Sequence, residues 1–393
     1  MNKFFLNLGN QPLANNFLTK FNINQVKYNL KLYFNTKTKL VSISKRVPSN
    51  QMFNNKYPYR SSMSHTMRKS FKKLALKIKK KFNPNLLLEI GSNDGVLIQN
   101  FKKKNVIGIE PCKNLAIITK KKGFDTYDKY WDFQLAKILK EKHGEVDLIY
   151  AANTLTHISN LNEVFKSITY LLSKKGVLII EDPSLMECIK KNSYDQFYNE
   201  HIYLFSAISV SYLLKKFNLE IFDIENLDTH GGSLRYYIKM KENNKIKISK
   251  RVNKQINKEY LFGLSKFSTY NKFSKNVIKS KKELLKILEK LKKDKKTVIG
   301  YGATAKAVTI INYCNINSDL ISFFVDVTPE KINRYMPGKE IKIIEYKKNI
   351  LENFNYAFLG AWNFKKEILN KEKKYLNRNI KFLTHVPFPH ILK

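Results

Sequence analysis

An alternation of strand and helix, opened by an acidic glycine turn, constrains this chain more than any other feature. Residues 86–88 are all leucine and run straight into Glu89, Ile90, Gly91, Ser92, Asn93, Asp94 and Gly95. The pattern reads as a strand, a glycine turn and a helix start, where the backbone approaches a ligand closely and offers free N–H groups. A second apolar run, residues 106–109, ends at Glu110. In a doubly wound sheet, an acid at the tip of the second strand is placed to bind both hydroxyls of a ribose. The turn does not read G-x-G-x-x-G, and Glu89 and Asp94 put negative charge where a pyrophosphate would sit. A ligand with a ribose, no phosphate and a cationic centre fits better, and S-adenosylmethionine (SAM) has those properties.

A chain of 393 residues allows two or three domains, and 43% hydrophobic residues can fill their cores. No apolar run approaches the roughly 18 residues needed to cross a bilayer, and the first residues lack a signal-peptide core. Cys112, Cys188 and Cys314 lie far apart with no metal spacing, which suits a reducing cytoplasm rather than a disulfide framework. The net charge of +40 would by itself suggest nucleic acid. Lysine and asparagine are abundant everywhere, however, including faces that read as solvated, and no nucleic-acid motif or aromatic-basic stripe is present. The expected partner is an anionic small molecule, with no nucleic acid and no membrane.

The fold class expected is α/β, with a small N-terminal module over 1–66. A Rossmann-like sheet follows over 67–240, and a second Rossmann-like unit over 241–393. In the first segment, residues 28–34 and 40–43 alternate as a strand hairpin, whereas 8–15 read as a turn and a polar stretch. A basic amphipathic helix is expected over 67–81. Strands are expected at 86–90, 106–109, 146–150 and 176–180, with a closing antiparallel pair at 219–226 and 233–239. A helix is expected over 161–172. Lysine-rich helices over 241–293 lead to strands near 298, 321–326, 341–344, 356–360 and 380–383.

Four constellations could carry chemistry. Residues 194–201 end in Tyr198, Asn199, Glu200 and His201, which group a base, an orienting acid and a hydroxyl at the carboxyl edge of the sheet. Asn153 and His157 follow the third expected strand on the same edge. His230, Gly231, Gly232 and Arg235 form a tight turn into a strand, with a guanidinium able to pair with a carboxylate or phosphate. Gly300, Gly302 and Lys306 make a glycine turn at a helix start, without the ending of a P-loop. Asp326, at the end of the next strand, is the counterpart of Glu110.

Together these motifs resemble the sugar C-methyltransferase family, whose members act on nucleotide-linked ketodeoxysugars. The likeness covers nearly the whole chain. It runs from 8–15 and 57–62 through 89–95, Glu110-Pro111, Glu200-His201 and 230–235, to 300–306, 335–338 and 361–363. The resemblance implies a class I SAM-methyltransferase domain, with the sugar nucleotide between it and the C-terminal unit. It assigns SAM binding to Glu89, Gly91, Ser92, Asn93, Asp94, Gly95, Glu110 and Asn153. It places Tyr59, His157, Tyr198, Glu200 and His201 at the substrate, with Tyr57 beside Tyr59. The substrate-binding group is His230, Gly231, Gly232, Arg235, Gly300, Gly302 and Lys306. The family's N-terminal zinc site does not carry over. No cysteine precedes Cys112, and Asn35 and Thr38 stand about where a cysteine pair would be, so no zinc is expected. The module is then held by packing or is looser than usual.

The chemistry implied is proton removal beside a ketone, followed by attack of the enolate carbon on the sulfonium methyl. His201 is the expected base, oriented by Glu200 or Tyr198, with Tyr198 or His157 on the developing oxyanion. The alternatives are methylation of oxygen or nitrogen on another small molecule, or a non-catalytic paralogue. A monomer is expected, since the domains already surround the pocket.

Overall fold

The computed structural model describes residues 1–44, 47–376 and 380–392. Three sheets organise it. The first contains β1 (Asn2–Pro12), β2 (Lys27–Asn35) and β3 (Val41–Ile43). The second is seven-stranded: β4 (Leu87–Ile90), β5 (Val106–Ile109), β6 (Asp125–Tyr127), β7 (Val146–Ala152) and β8 (Leu172–Pro183) are joined by a later antiparallel pair. A two-residue strand, β9 (Tyr203–Leu204), precedes that pair, β10 (Leu219–Leu227) and β11 (Ser233–Met240). The third sheet holds β12 (Val298–Tyr301), β13 (Phe323–Asp326), β14 (Lys342–Glu345), β15 (Tyr356–Leu359), β16 (Lys381–Thr384) and β17 (His390–Ile391).

The seven-stranded order is β10-β11-β8-β7-β4-β5-β6, parallel except for β11, which pairs antiparallel with both β8 and β10. The chain steps outward from β4 to β6, then returns to the other side of β4. The crevice between the carboxyl ends of β4 and β7 is therefore a topological switch point, where open sheets bind ligands. The third sheet, ordered β14-β13-β12-β15-β16-β17, has its own switch point between β12 and β15. The strands buried on both faces read as continuous apolar runs, which is why β4, β5 and β12 were legible.

Three local expectations are corrected. No α-helix follows the first glycine turn; two short 3-10 turns, Ile98–Asn100 and Lys103–Asn105, lie between it and β5, so the turn's N–H groups do not belong to a helix start. The N-terminal residues, read as turn and polar stretch, form the long strand β1, whose two register irregularities against β2 scramble the alternation a strand shows in sequence. The basic helix begins two residues early, at His65, because the Ser64 hydroxyl caps it by accepting from Met67 N–H.

The N-terminal module is held by packing. Phe5, Leu6, Leu8, Leu30, Leu32 and Phe34 are buried, and the rings of Phe34 and Phe5 lie 4.3 and 5.2 Å from Tyr270 on the long helix Phe267–Lys293. Its fourth strand is β9, borrowed from the chain just after His201, with Val41 opposite Leu204 and Ser42 opposite Tyr203. Sheet pairing thus fastens the module to the loop that carries the catalytic candidates. Among the described residues, no helix is long and apolar enough to cross a membrane, and no three His, Cys, Asp or Glu gather as a metal site.

Candidate active site

One cavity of about 500 Å³ spans both switch points. Glu89, Gly91, Ser92, Asn93 and Glu110 line one end, Tyr59, Asn153, His157, Tyr198, His201 and His230 the middle, and Gly302, Lys306 and Asp326 the other. The first glycine turn is tight for a physical reason. Gly91 has φ +75°, and a Cβ there would stand 2.2 Å from the Thr154 hydroxyl oxygen, so only glycine lets the turn after β4 lie against the loop after β7.

Glu110 is clamped by backbone. Its carboxylate accepts from Asn93 N–H at 2.8 Å and Cys112 N–H at 2.9 Å. Burial raises its pKa from the ordinary carboxylate range, and those N–H groups pull the other way. Glu89 is buried, held well above the usual range by burial and then by the charges of Glu110 and Asp94, and its Oε2 has no protein partner. Ser92 Oγ is buried and unpartnered too. A carboxyl oxygen and a hydroxyl without partners among the described residues, beside a ribose-type acid, fit SAM: hydroxyls for Glu110 and a positive centre to offset the acid cluster.

The segment carrying Tyr57 and Tyr59 straps across this turn. Ser61 N–H donates to Asn93 Oδ1 at 2.9 Å, and Asn93 Nδ2 donates to the Tyr59 carbonyl at 3.2 Å. Asp94 accepts from Ser62 N–H at 3.3 Å, so it fastens the strap instead of facing the cavity. Gly95 also lies outside the cavity wall.

The histidine loop is built differently from the sequence expectation. His201 Nδ1 points at the Gln196 carbonyl, 2.7 Å away, so that nitrogen carries the proton. Its Nε2 then accepts from the Tyr198 hydroxyl at 2.6 Å. Burial, followed by the nearby His157 and Lys306, holds His201 well below the ordinary imidazole value, so it is neutral. Burial raises Tyr198 well above 10, so its hydroxyl keeps its proton until a base takes it. Glu200 does not orient His201. Its carboxylate accepts from the Tyr57 hydroxyl at 2.9 Å and from Asn15 Nδ2 at 2.7 Å. Burial lifts its pKa to about 7, against those two bonds. Asn15 was not singled out from sequence; only its place in the 8–15 motif marked it.

His157 stacks between Phe53 and His201, with ring centroids 5.2 Å from each. Its Nε2 is buried without a partner, and burial lowers its pKa to about 3. Because the unfolded chain binds this proton near pH 6.5 and the folded one near 3, His157 makes stability fall as pH drops through that window. The variant His157→Gln should lose at most about 1.4 kcal/mol less than the wild type per pH unit there, read from melting temperatures at pH 4 to 7.

Arg235 does not reach the cavity. Its guanidinium makes bonds of 3.0 and 2.8 Å to Glu181 Oε2 and a third, of 3.2 Å, to Glu225. It neutralises a buried acid where β11 crosses β8 and β10, so its role here is structural, not substrate binding. Glu181 also accepts from the Tyr150 and Thr229 hydroxyls. Arg235→Met should therefore cost about 2–3 kcal/mol, less than a fully orphaned charge, measured by urea unfolding with SAM affinity unchanged. Gly231, Gly232 and Gly300 serve packing: a Cβ on them would strike Trp362, Glu187 and Phe324. His230 does line the cavity, its Nε2 3.2 Å from Asn153 Nδ2. Asp326 repeats the design of Glu110, accepting from Ala303 N–H at 2.8 Å and Thr328 N–H at 2.9 Å.

A family described as a methyltransferase domain matches residues 59–224, and one described as the C-methyltransferase C-terminal domain matches 228–387. The C-methyltransferase NovU of Streptomyces niveus is 27% identical over 310 residues, 78% of this chain and 74% of that protein. A SAM-dependent methyltransferase structure from Clostridium acetobutylicum is 14% identical, covering 44% of this chain and 92% of its own, with a TM-score of 0.35. One from Anabaena variabilis is 19% identical, covering 45% and 86%, with a TM-score of 0.36. With one family match beginning four residues after the other ends, the chain is a SAM-dependent methyltransferase whose second half matches the C-methyltransferase C-terminal domain.

Proposed function

We propose that the enzyme methylates the carbon beside a ketone in a nucleotide-linked deoxysugar. The observation that carries this reading is the single cavity joining a ribose-type acid at each end, Glu110 and Asp326, with the buried Tyr198–His201 pair between them. Glu110 would hold the SAM ribose, and Asp326 and the Gly302 turn the nucleoside of the acceptor. Bound there, SAM would supply an electrophilic methyl to the acceptor carbon.

The chain's own residues make that carbon nucleophilic. His201 Nε2 already accepts from Tyr198, so the proton leaving the acceptor carbon passes to the Tyr198 oxygen as the phenol proton moves to Nε2. The Gln196 carbonyl, bound to Nδ1–H, stabilises the imidazolium that forms. His157, with a buried unpartnered nitrogen, is available to the ketone oxygen. The rings of Phe53 and the buried Tyr57 line the cavity and limit the access of water to the charged intermediate. Incubation with methyl-labelled SAM and a panel of nucleotide-linked ketosugars, read by mass spectrometry, tests this. Label should appear on a carbon next to the ketone of one sugar; label on oxygen or nitrogen, or on no sugar, would defeat it.

A further inference from the structure

Asp195 is completely buried, and the proton transfer above does not use it. It sits in the 3-10 turn Tyr194–Gln196, just ahead of the histidine loop. Its contacts come from the C-terminal unit, far away in sequence. The Trp362 indole N–H donates to Asp195 Oδ2, and His385 Nε2 lies 3.3 Å from the same oxygen. Tyr194, the preceding residue, packs its ring 5.7 Å from Tyr313 and 5.6 Å from His385.

The turn so gripped contacts two of the three cavity histidines, one at its ring and one at its backbone. The Gln196 carbonyl takes the His201 Nδ1 proton at 2.7 Å, and the Gln196 side-chain amide donates to the His230 carbonyl at 2.6 Å. The next residue, Gly231, lies flat on the Trp362 ring, where a Cβ would be 2.3 Å from the indole edge. The contacts close a ring: Trp362 to Asp195, through Gln196 to His201 and His230, and back through Gly231 to Trp362. A side chain of the second Rossmann-like unit is thus linked through this ring of contacts to the segments that carry His201 and His230.

We propose that Trp362 and Asp195 are positioning residues which lock His201 in the Nδ1–H tautomer, leaving Nε2 free to accept. The proposal rests on the reading that His201 Nε2 receives the proton, but its main test needs no acceptor. A carboxylate–indole bond inside the protein is charge-assisted and strong. Without it the Gln196 carbonyl can turn away, and an imidazole without its Nδ1 partner samples both tautomers.

The test is long-range 15N–1H NMR of the full-length, histidine-labelled protein with SAM bound. The chain has seven histidines, and His201→Asn assigns the signal. Wild type should show one His201 tautomer, protonated at Nδ1. Trp362→Phe, which removes only the donor, and Asp195→Asn, which keeps the shape but not the charge, should both show a mixture. Once an acceptor is in hand, each should lower kcat, Trp362→Phe by about 10²-fold, with SAM affinity unchanged. The double variant should be no worse than the poorer single one, because both break the same link. An unchanged His201 pattern in both single variants overturns the proposal, whatever the acceptor proves to be, as do effects on kcat that multiply. Should Trp362→Phe not fold, Asp195→Asn alone decides by the same spectrum.

Discussion

His201→Asn and Tyr198→Phe should each reduce kcat by about a thousandfold, the usual reach of a positioned acid–base group. The two losses should be similar because the residues act as one unit through the 2.6 Å bond between the phenol and Nε2. A lone imidazole base would predict otherwise. Tyr198→Phe would then cost only a hydrogen bond, and turnover would fall by about tenfold. SAM affinity should survive both changes, since Glu89, Gly91 and Glu110 belong to other loops. The deciding measurement is deuterium exchange at the acceptor carbon in the presence of demethylated cofactor. Both variants should lose exchange along with turnover; a Tyr198→Phe enzyme that still exchanges at the wild-type rate would remove the relay.

Glu110→Ala should weaken SAM binding by about a hundredfold or more in calorimetry. Two hydrogen bonds from ribose hydroxyls to a charged acceptor are worth about 3 kcal/mol or more together. The substitution also frees Asn93 N–H and Cys112 N–H, whose bonds to the carboxylate shape the turn. Glu110→Gln separates the two contributions. It keeps an oxygen for one N–H but loses the charge, so it should fall between wild type and alanine. Binding unchanged in Glu110→Ala would mean that the ribose lies elsewhere.

Much of this site was legible one motif at a time. The apolar runs at β4, β5 and β12 are strands buried on both faces, and each ends in the turn or acid that reaches the cavity. Gly91, Glu110, His157, Tyr198, His201 and Lys306 stand where local pattern alone places them, on the carboxyl edges of two sheets. The strand β1 was not legible, because its register irregularities break the period of two on which a strand reading depends. Nor was the absence of an α-helix after Gly91, because a glycine turn after a strand reads alike before an α-helix and before short 3-10 turns.

What stayed hidden is which partner each polar group takes. Glu200 is adjacent to His201 in sequence yet binds Tyr57 and Asn15, and Arg235 looks free in its turn yet is spent on Glu181 and Glu225. The amino-acid sequence alone determined the two Rossmann-like units, the acid tips and the titratable groups of the site, since these follow from short-range periodicity and turn chemistry. Only the tertiary structure decided protonation states and roles. Burial sets the pKa values, and decisive partners, Tyr57 and Asn15 for Glu200 and Trp362 for Asp195, come from segments more than a hundred residues away, which no local pattern records.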